Sequence, residues 1–314
     1  MVQENIFELK ALYRDDMRVT GFKFGEGEKT VCIVGATRGN EIQQIYTCSQ
    51  IIKALKQLEA HGHITKGKSI MVIPTVNTYS MNIKKRFWPT DNTDINRMFP
   101  GYDKGETTQR IAAGVFNEVQ DYEYGIQFAS FYIPGSFIPH IRMMKTGYEA
   151  VDLAQNFGMP YVLVRDTRPY DTTTLNYNWQ LWNTKAFSLY AHKTDDIEEK
   201  STREAVMAVF RFLNSIGAIR YYAPPGYNSR LVRENELMTV RSHKAGIFLP
   251  KVGVNRHVSK DSTLAVIIDP YTGEVNEEIK SPGSGVIFFR NTEHLVYSNT
   301  SMFRLILDRE ADEF

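Results

Sequence analysis

Two charged side chains, Arg38 and Glu41, follow closely after a short apolar run at residues 31–34. Small residues after the run predict a turn, and apolar residues at helical spacing beyond Glu41 predict a helix. In open α/β folds, such a strand-to-helix turn is a common place for binding and catalysis. A spacing of three residues on a helix points both side chains the same way, which suits a metal site. Glu41 is a suitable metal ligand, whereas the always-protonated Arg38 is not.

A second group of polar residues suits the recognition of a carboxylate. Arg86 precedes the run Asp94, Asn96 and Arg97. A guanidinium offers a planar fork of donors that matches a carboxylate, a neighbouring Asn amide adds a donor, and an acid such as Asp94 can hold an arginine in place. An Arg–Asp pair that only stabilises a loop is the structural alternative, because such ion pairs are common on protein surfaces.

Residues 94–101 read DINRMFPG, with Asn77 and Arg86 upstream. In this motif the chain resembles the succinylglutamate desuccinylase/aspartoacylase family, which has a zinc-carboxypeptidase-like fold. The family pattern is a G-x-H-G-x-E turn, an N-P-x-A segment with an Arg, and then D-x-N-R-x-F-P-G. A D-x-H strand end, a late catalytic Glu and a small β domain follow. The resemblance covers nearly the whole chain, with the elements in the family's order.

The resemblance assigns roles to four residues of this chain. Asn96 and Arg97 match the residues that bind the substrate carboxylate. Arg86 matches an arginine that contacts the substrate or the reacting carbonyl oxygen. Glu41 matches the carboxylate ligand of zinc.

Three other family positions carry different residues here. Arg38 stands where the first zinc-binding His belongs. The D-x-H strand end aligns with Gly125 and Gln127, so that Gln127 replaces the second His. The general-base Glu, near the end of a strand predicted at 186–191, aligns with Tyr190.

These replacements bear directly on metal binding. A catalytic zinc ion normally has three protein ligands and an open position for water. Arg38 would repel the ion, Gln127 is a poor ligand, and Glu41 alone would not hold it usefully. We therefore expect no cofactor, and zinc is implied by the resemblance only. We predict that the Arg38 guanidinium pairs with Glu41 instead.

Two histidines offer an alternative metal site. His140 lies downstream of Gln127, and His192 follows Tyr190 by two residues. Together with Glu41 they would form a relocated site, although single histidines in loops are usually ordinary polar residues. Tyr190 itself is either an acid or a packing residue.

The elements that would position these residues alternate between strands and helices. The predicted strands are 19–24, 31–34, 70–74, 124–130, 161–164 and 186–191, and the predicted helices are 42–58, 107–120, 146–157 and 202–216. Residues 77–101 are predicted to be irregular, and a loop is predicted to contain Trp179 and Trp182. Alternation of this kind indicates an α/β fold with a mixed or parallel sheet that is covered by helices on both faces.

The pattern changes near residue 225. Short strand-like runs punctuated by Gly and Pro, without helical periodicity, predict a small all-β domain at 225–314 after an α/β domain at 1–224. Its turns are typical of a barrel-sandwich, and we predict a role in packing or assembly. It contains no convincing Asp-Lys hairpin of the lipoyl type.

Composition limits the partners and the location. A formal net charge of +1 provides no field that would attract nucleic acid or a membrane. The first residues lack the basic start and apolar run of a secretory signal, and no run is long enough to span a bilayer. Only Cys32 and Cys48 are present, so a disulfide framework is not expected. A cytoplasmic protein is predicted.

The sequence thus predicts a degenerate member of the family. It would lack zinc and ordinary hydrolysis, retain a pocket for a small carboxylate-bearing molecule at Arg86, Asn96 and Arg97, and act as a binding protein or as a partner. A homo-oligomer and an active relative are the protein partners left open. The alternative is a metal-dependent deacylase that cleaves an N-acyl amino acid with a relocated metal site.

Overall fold

The computed structural model describes residues 1–13, 15–192 and 196–308 of the chain. Its contacts divide the chain into two units. The first comprises residues 1–130 and 139–231, and the second comprises residues 131–138 together with the chain from residue 232. The boundary near residue 225 stays a prediction.

The elements are numbered in chain order. The strands are β1 Val2–Leu9, β2 Met17–Phe24, β3 Gly27–Ala36, β4 Gly67–Thr75, β5 Tyr124–Ala129, β6 Gly135–Phe137, β7 His140–Lys145, β8 Tyr161–Asp166, β9 Lys185–Tyr190, β10 Arg230–Arg233, β11 Leu237–Arg241, β12 Gly246–Pro250, β13 His257–Val258, β14 Thr263–Ile268, β15 Val275–Lys280, β16 Gly285–Asn291, β17 Leu295–Val296 and β18 Ser301–Leu307. The α-helices are α1 Ile42–Ala60, α2 Thr78–Asn82, α3 Thr107–Val119, α4 Val151–Ala154, α5 Leu175–Leu181 and α6 Glu199–Ser215.

The large sheet has nine strands in the order β1-β2-β4-β3-β5-β9-β7-β8-β10. Its central pairs, β4-β3-β5-β9, are parallel, whereas β7 runs antiparallel to β9. Residues 30–36 of β3 are all buried, as expected for a strand covered on both faces. The carboxyl ends of β3 and β5 therefore meet at one edge of the sheet, where the predicted chemistry lies.

Helices cover both faces of this sheet, as predicted. Ile51 of α1 and Phe212 of α6 belong to one apolar core. Ile111 of α3 and Trp179 of α5 belong to a second core. Apolar residues that recur at helical spacing bury one stripe of each helix against the sheet. The predicted mixed α/β architecture is confirmed.

Four predictions of local structure were wrong. The stretch 77–101, predicted to be irregular, contains α2 and a 3₁₀ helix at Ile95–Arg97. The predicted helix at 146–157 is helical only from residue 151, because α4 is followed by a 3₁₀ turn at Gln155–Phe157. Trp179 lies inside α5 and Trp182 caps its C-terminus, so this segment is not a loop. His140 begins strand β7 and is fully buried, although it was predicted to lie in a loop.

The described residues of the second unit form β-strands and one 3₁₀ turn at Glu234–Glu236. One of its sheets has the order β11-β18-β16-β13 with β6 paired to β16, and the other has the order β15-β14-β12-β17. Phe248 and Leu264 from one sheet share a core with Ile287 and Phe303 from the other. The small β structure predicted for this region is thus present.

Among the described residues, no helix combines the length and the apolar character that crossing a bilayer requires.

Candidate functional site

Glu41 is the residue immediately before α1, in the turn that follows β3. It is fully buried. Its Oε2 atom accepts hydrogen bonds from the backbone N–H groups of Thr37, at 3.0 Å, and Arg38, at 3.1 Å. The backbone of the turn thus folds around the carboxylate and orients it.

Arg38 lies in this turn and not on the helix, yet it pairs with Glu41 as predicted. Its Nη1 atom donates to Glu41 Oε1 at 3.0 Å. Its Nη2 and Nε atoms both donate to Asp94 Oδ2, at 2.8 and 3.1 Å. Burial alone would lower the pKa of Arg38, but the carboxylates of Glu41 and Asp94 outweigh burial and raise the pKa above its ordinary value. The side chain is therefore a permanent buried cation.

Asp94 has a second role in the site. Its Oδ1 atom accepts from the backbone N–H of Asn96 at 3.0 Å and so caps the 3₁₀ helix Ile95–Arg97. We expected Asp94 to hold a neighbouring arginine of its own segment. The structure pairs it with Arg38 instead, which anchors the segment to the turn after β3.

Ser130 completes the surroundings of Glu41, and the sequence analysis missed it. The Ser130 hydroxyl donates to Glu41 Oε1, and Arg38 Nη1 lies 3.4 Å from Ser130 Oγ. Both carboxylate oxygens of Glu41 are therefore engaged by protein donors. Its position at the carboxyl end of the predicted strand 124–130, which lies beside the end of β3, could have indicated this role.

These contacts do not fit a zinc ion at the family position. A ligand oxygen needs a free lone pair directed at the metal, and Glu41 directs its lone pairs at four protein donors. The Arg38 guanidinium also brings a positive charge to within 3.0 Å of the same carboxylate. Across the described ranges, no group of three or more His, Cys, Asp or Glu side chains is arranged to hold a metal ion.

Gln127 and Asn96, which lie 31 residues apart, are brought into direct contact. Gln127 Nε2 donates to Asn96 Oδ1 at 3.0 Å. The backbone N–H of Leu175, at the start of α5, lies 3.4 Å from the same oxygen. Because these donors bind Asn96 Oδ1, the Nδ2 atom of the Asn96 amide is the atom suited to donate to a carboxylate.

Arg97 is held by the segment that precedes α5. Its Nη1 donates to the backbone carbonyl of Tyr170 and lies 3.5 Å from Asp171 Oδ1. Its guanidinium carbon lies 5.3 Å from the centre of the Tyr170 ring. Asp171 is buried and also pairs with Arg165 at 3.2 Å. The Arg97 side chain remains 28% exposed, so its position is constrained while a ligand can still reach it.

Arg86 lies beside the turn after β3. Its carbonyl oxygen accepts from the backbone N–H of Gly39 at 3.1 Å, which places its backbone next to Arg38. The Arg86 guanidinium carbon lies 5.6 Å from the centre of the Phe87 ring.

Tyr190, which the sequence analysis aligned with the family's general base, is buried against other side chains. The His140 ring lies parallel to it with the centres 4.6 Å apart. The Arg142 guanidinium carbon lies 4.2 Å from the centre of the Tyr190 ring. His140 is thus a packing partner of Tyr190. His192 is partly buried and lies beside the undescribed residues 193–195.

The fold is of the zinc-carboxypeptidase-like α/β type, with an additional small β unit. A solved structure of a succinylglutamate desuccinylase from Silicibacter sp. TM1040 superposes with a TM-score of 0.83 at 17% identity, covering 96% of this chain and 93% of that chain. The product-bound structure of the ectoine utilization protein EutE (DoeB) from Ruegeria pomeroyi gives a TM-score of 0.78 at 16% identity, covering 93% and 90%. At such identities the likeness concerns the fold alone.

The family model described as "Succinylglutamate desuccinylase/Aspartoacylase catalytic domain" matches residues 27–216. The chain belongs to this family, which confirms the resemblance found in its motifs.

A characterised relative matches a shorter stretch. The N-alpha-acetyl-L-2,4-diaminobutyric acid deacetylase of Halomonas elongata is 30% identical over 94 residues, which are 30% of this chain and 25% of the relative. The match therefore spans about a quarter of that enzyme's length.

Proposed function

We propose that this protein is a member of the family that lacks the catalytic zinc site. We propose also that it binds a small carboxylate-bearing molecule. The observation that carries the proposal is the contact between Arg38 and Glu41. A guanidinium 3.0 Å from the retained carboxylate supplies the positive charge that a zinc ion would otherwise supply. Because Arg38 is also tied to Asp94, a metal ion would have to displace a doubly paired cation.

Recognition of the ligand falls to Arg97, Asn96 and Arg86. Arg97 presents a fork of donors, of which only part is used by Tyr170 and Asp171. The Asn96 amide nitrogen adds a neutral donor beside it. Arg86 adds a second cation at the turn after β3. A carboxylate bound by such charge-assisted hydrogen bonds needs no metal ion.

Tyr190 does not support ordinary hydrolysis. It packs against the His140 ring and the Arg142 guanidinium, in a buried position. Glu41 is engaged by four protein donors and therefore has no free lone pair to accept a proton from an attacking water. A role as a binding protein, alone, as a homo-oligomer or beside an active relative, follows from this loss. We retain the predicted cytoplasmic location as part of the proposal.

Metal analysis provides the first test. We expect no bound zinc in protein purified without chelator, and no tight uptake when zinc is titrated by calorimetry. The matched variant is Arg38→His/Gln127→His, which restores the family's histidines around the retained Glu41. It should gain zinc affinity that the wild type lacks. Near-stoichiometric zinc in the wild type would contradict the proposal and favour a deacylase with a relocated metal site.

Carboxylate binding provides the second test. Succinate should bind the wild-type protein, and Arg97→Met should weaken binding by about tenfold or more, since a charge-assisted hydrogen bond contributes about 1.5–3 kcal/mol. Arg203→Met is the control, because this arginine is exposed on α6 and pairs with Glu199 one turn earlier on the same helix. Equal binding by wild type and Arg97→Met would argue against the proposed pocket.

A further inference from the structure

A row of three polar side chains crosses the large sheet next to Asn96. Gln127 of β5 is in register with Ser188 of β9, and Ser188 is in register with Arg142 of β7. Residues that face each other on neighbouring strands point to the same side of a sheet. We call Gln127, Ser188 and Arg142 the polar row.

The polar row points toward helix α5. Ala186 lies two residues before Ser188 on β9 and therefore on the same face, and it shares a core cluster with Trp179 of α5. Gly125 lies two residues before Gln127, and a Cβ atom on it would meet the Trp179 ring at 2.6 Å. The helix thus packs over these strands on the side of the row.

Contacts at both ends of α5 determine where Asn176 lies along the strands. At the helix start, Leu175 N lies 3.4 Å from Asn96 Oδ1, which accepts from Gln127. In its last turn, Gln180 Nε2 donates to the carbonyl of Met144, two residues beyond Arg142 on β7.

Asn176 is on the same helix face as Gln180, one turn earlier. That turn spans about 6 Å along the helix. Two strand residues, the distance from Met144 back to Arg142, span about 6.6 Å. These spacings put Asn176 near the level of the polar row, on the helix face from which Gln180 contacts β7.

Asn176 is buried without hydrogen-bond partners. The residue is 1% exposed, and within the described part of the chain neither its Nδ2 nor its Oδ1 atom has a partner. Asn178 on the same helix provides a contrast, because its amide donates to the carbonyls of Thr172 and Thr174 at 3.0 and 2.9 Å. A buried amide that lacks partners destabilises a fold, so its presence near a polar row points to a ligand that supplies them.

The atoms present define the chemistry of that ligand group. Asn176 offers an NH₂ group as donor and a carbonyl oxygen as acceptor, and Arg142 adds a cation held against the Tyr190 ring. A primary carboxamide matches both ends of the Asn176 amide, because its oxygen accepts from Nδ2 and Arg142 while its NH₂ donates to Oδ1. A carboxylate would satisfy the donors but leave Oδ1 without a donor.

We propose that Asn176 and Arg142 form a second recognition subsite, which binds a terminal carboxamide of the same ligand whose carboxylate binds Arg97. The inference rests on the proposed function. Asn96 links the two subsites, since it neighbours Arg97 in the chain and accepts from Gln127 of the polar row. The ligand class is a small acid with an amide at its other end.

Three probes of similar size test this subsite: succinamate, succinate and butyrate, which share one carboxylate and end in a carboxamide, a carboxylate and a methyl group. Calorimetric titration of the full chain should rank them in that order. We expect succinamate to bind about tenfold tighter than butyrate, as one satisfied buried amide pair would provide.

Asn176→Leu and Asn178→Leu are the matched variants. Asn176→Leu should raise Tm, because it removes two buried polar atoms without partners, and it should abolish the preference for succinamate over butyrate. Asn178→Leu should lower Tm, because it removes two hydrogen bonds, and should keep the preference.

The outcomes separate this subsite from the proposed function. Equal affinity of the wild type for all three probes, with weaker binding by Arg97→Met, would overturn the subsite and leave the proposed function standing. Failure of every probe to bind would overturn both. A Tm loss in Asn176→Leu as large as in Asn178→Leu would show a structural role for the amide and overturn the subsite.

Discussion

Replacing Arg38 with Met tests the central feature of the site. The change removes the guanidinium that lies between Glu41 and Asp94 while retaining most of the side chain's apolar length. The side chains involved are 6%, 1% and 10% exposed for Arg38, Glu41 and Asp94. The buried carboxylate of Glu41 and the largely buried carboxylate of Asp94 would then remain without their cation.

The structure sets the size of the expected effect. Removing one partner of a buried ion pair destabilises a fold by about 3–5 kcal/mol. Glu41 keeps its bonds to the N–H groups of Thr37 and residue 38 and to Ser130, so we expect the lower end, about 3 kcal/mol. For a unit of this size that corresponds to a Tm decrease of about 6–12 °C.

Urea denaturation followed by circular dichroism measures the effect, with Tm from calorimetry as a second readout. Arg38→Lys keeps the charge but lacks the planar fork that contacts both acids, so the decrease in its free energy of unfolding should be intermediate. In Arg38→Met/Glu41→Gln this decrease should be smaller than the sum of the decreases in the two single variants, because the two residues interact directly.

Arg203→Met serves as the control for loss of an arginine. Its pair with Glu199 spans 3.4 Å, and both side chains are at least 70% exposed. Its effect should be below about 0.5 kcal/mol. If Arg38→Met were no more destabilising than Arg203→Met, the buried charge cluster would not hold the turn after β3, and the reasoning would be refuted.

Two further predictions concern the core. Burial raises the pKa of the Cys32 and Cys48 thiols, so that the unfolded chain ionises them first as pH rises. Stability should therefore fall above about pH 8.5, by about 1.4 kcal/mol per pH unit for each thiol. The difference between the urea midpoints at pH 8 and pH 9.5 should be smaller in Cys32→Ala/Cys48→Ala than in the wild type. An equal difference in both proteins would contradict this. Gly125→Ala would bring a Cβ atom to 2.6 Å from the Trp179 ring, so it should destabilise by about 1–3 kcal/mol in urea. With Trp179→Phe the losses should be less than additive, and full additivity would argue against the steric cause.

Local patterns were sufficient for much of the first unit. Helix α3 was predicted at 107–120 and is found at Thr107–Val119, because its apolar residues recur at helical spacing over three turns. Strand β3 was predicted from its continuous apolar run. These signals are local, since each depends on residues within one element.

The failures share a physical cause. The sequence of residues 146–150 is compatible with a helix. Instead, Glu149 Oε2 accepts hydrogen bonds from the backbone N–H groups of Thr146 and Gly147, which closes a turn. Strand β7 was missed because its polar residues His140 and Arg142 face Tyr190 in the interior, which removes the usual alternation of apolar and polar residues. In both cases contacts outside the local pattern override propensity.

For the site, the sequence alone was enough to predict the family and the pairing of Arg38 with Glu41, because these predictions depend on residue types at short spacing. Only the tertiary structure decided that Asp94, 56 residues from Arg38, is the second partner of that arginine, and that Ser130 is the fourth donor to Glu41. Such contacts join separate elements, and their geometry follows from how the sheet and helices pack, which no short segment of the chain specifies.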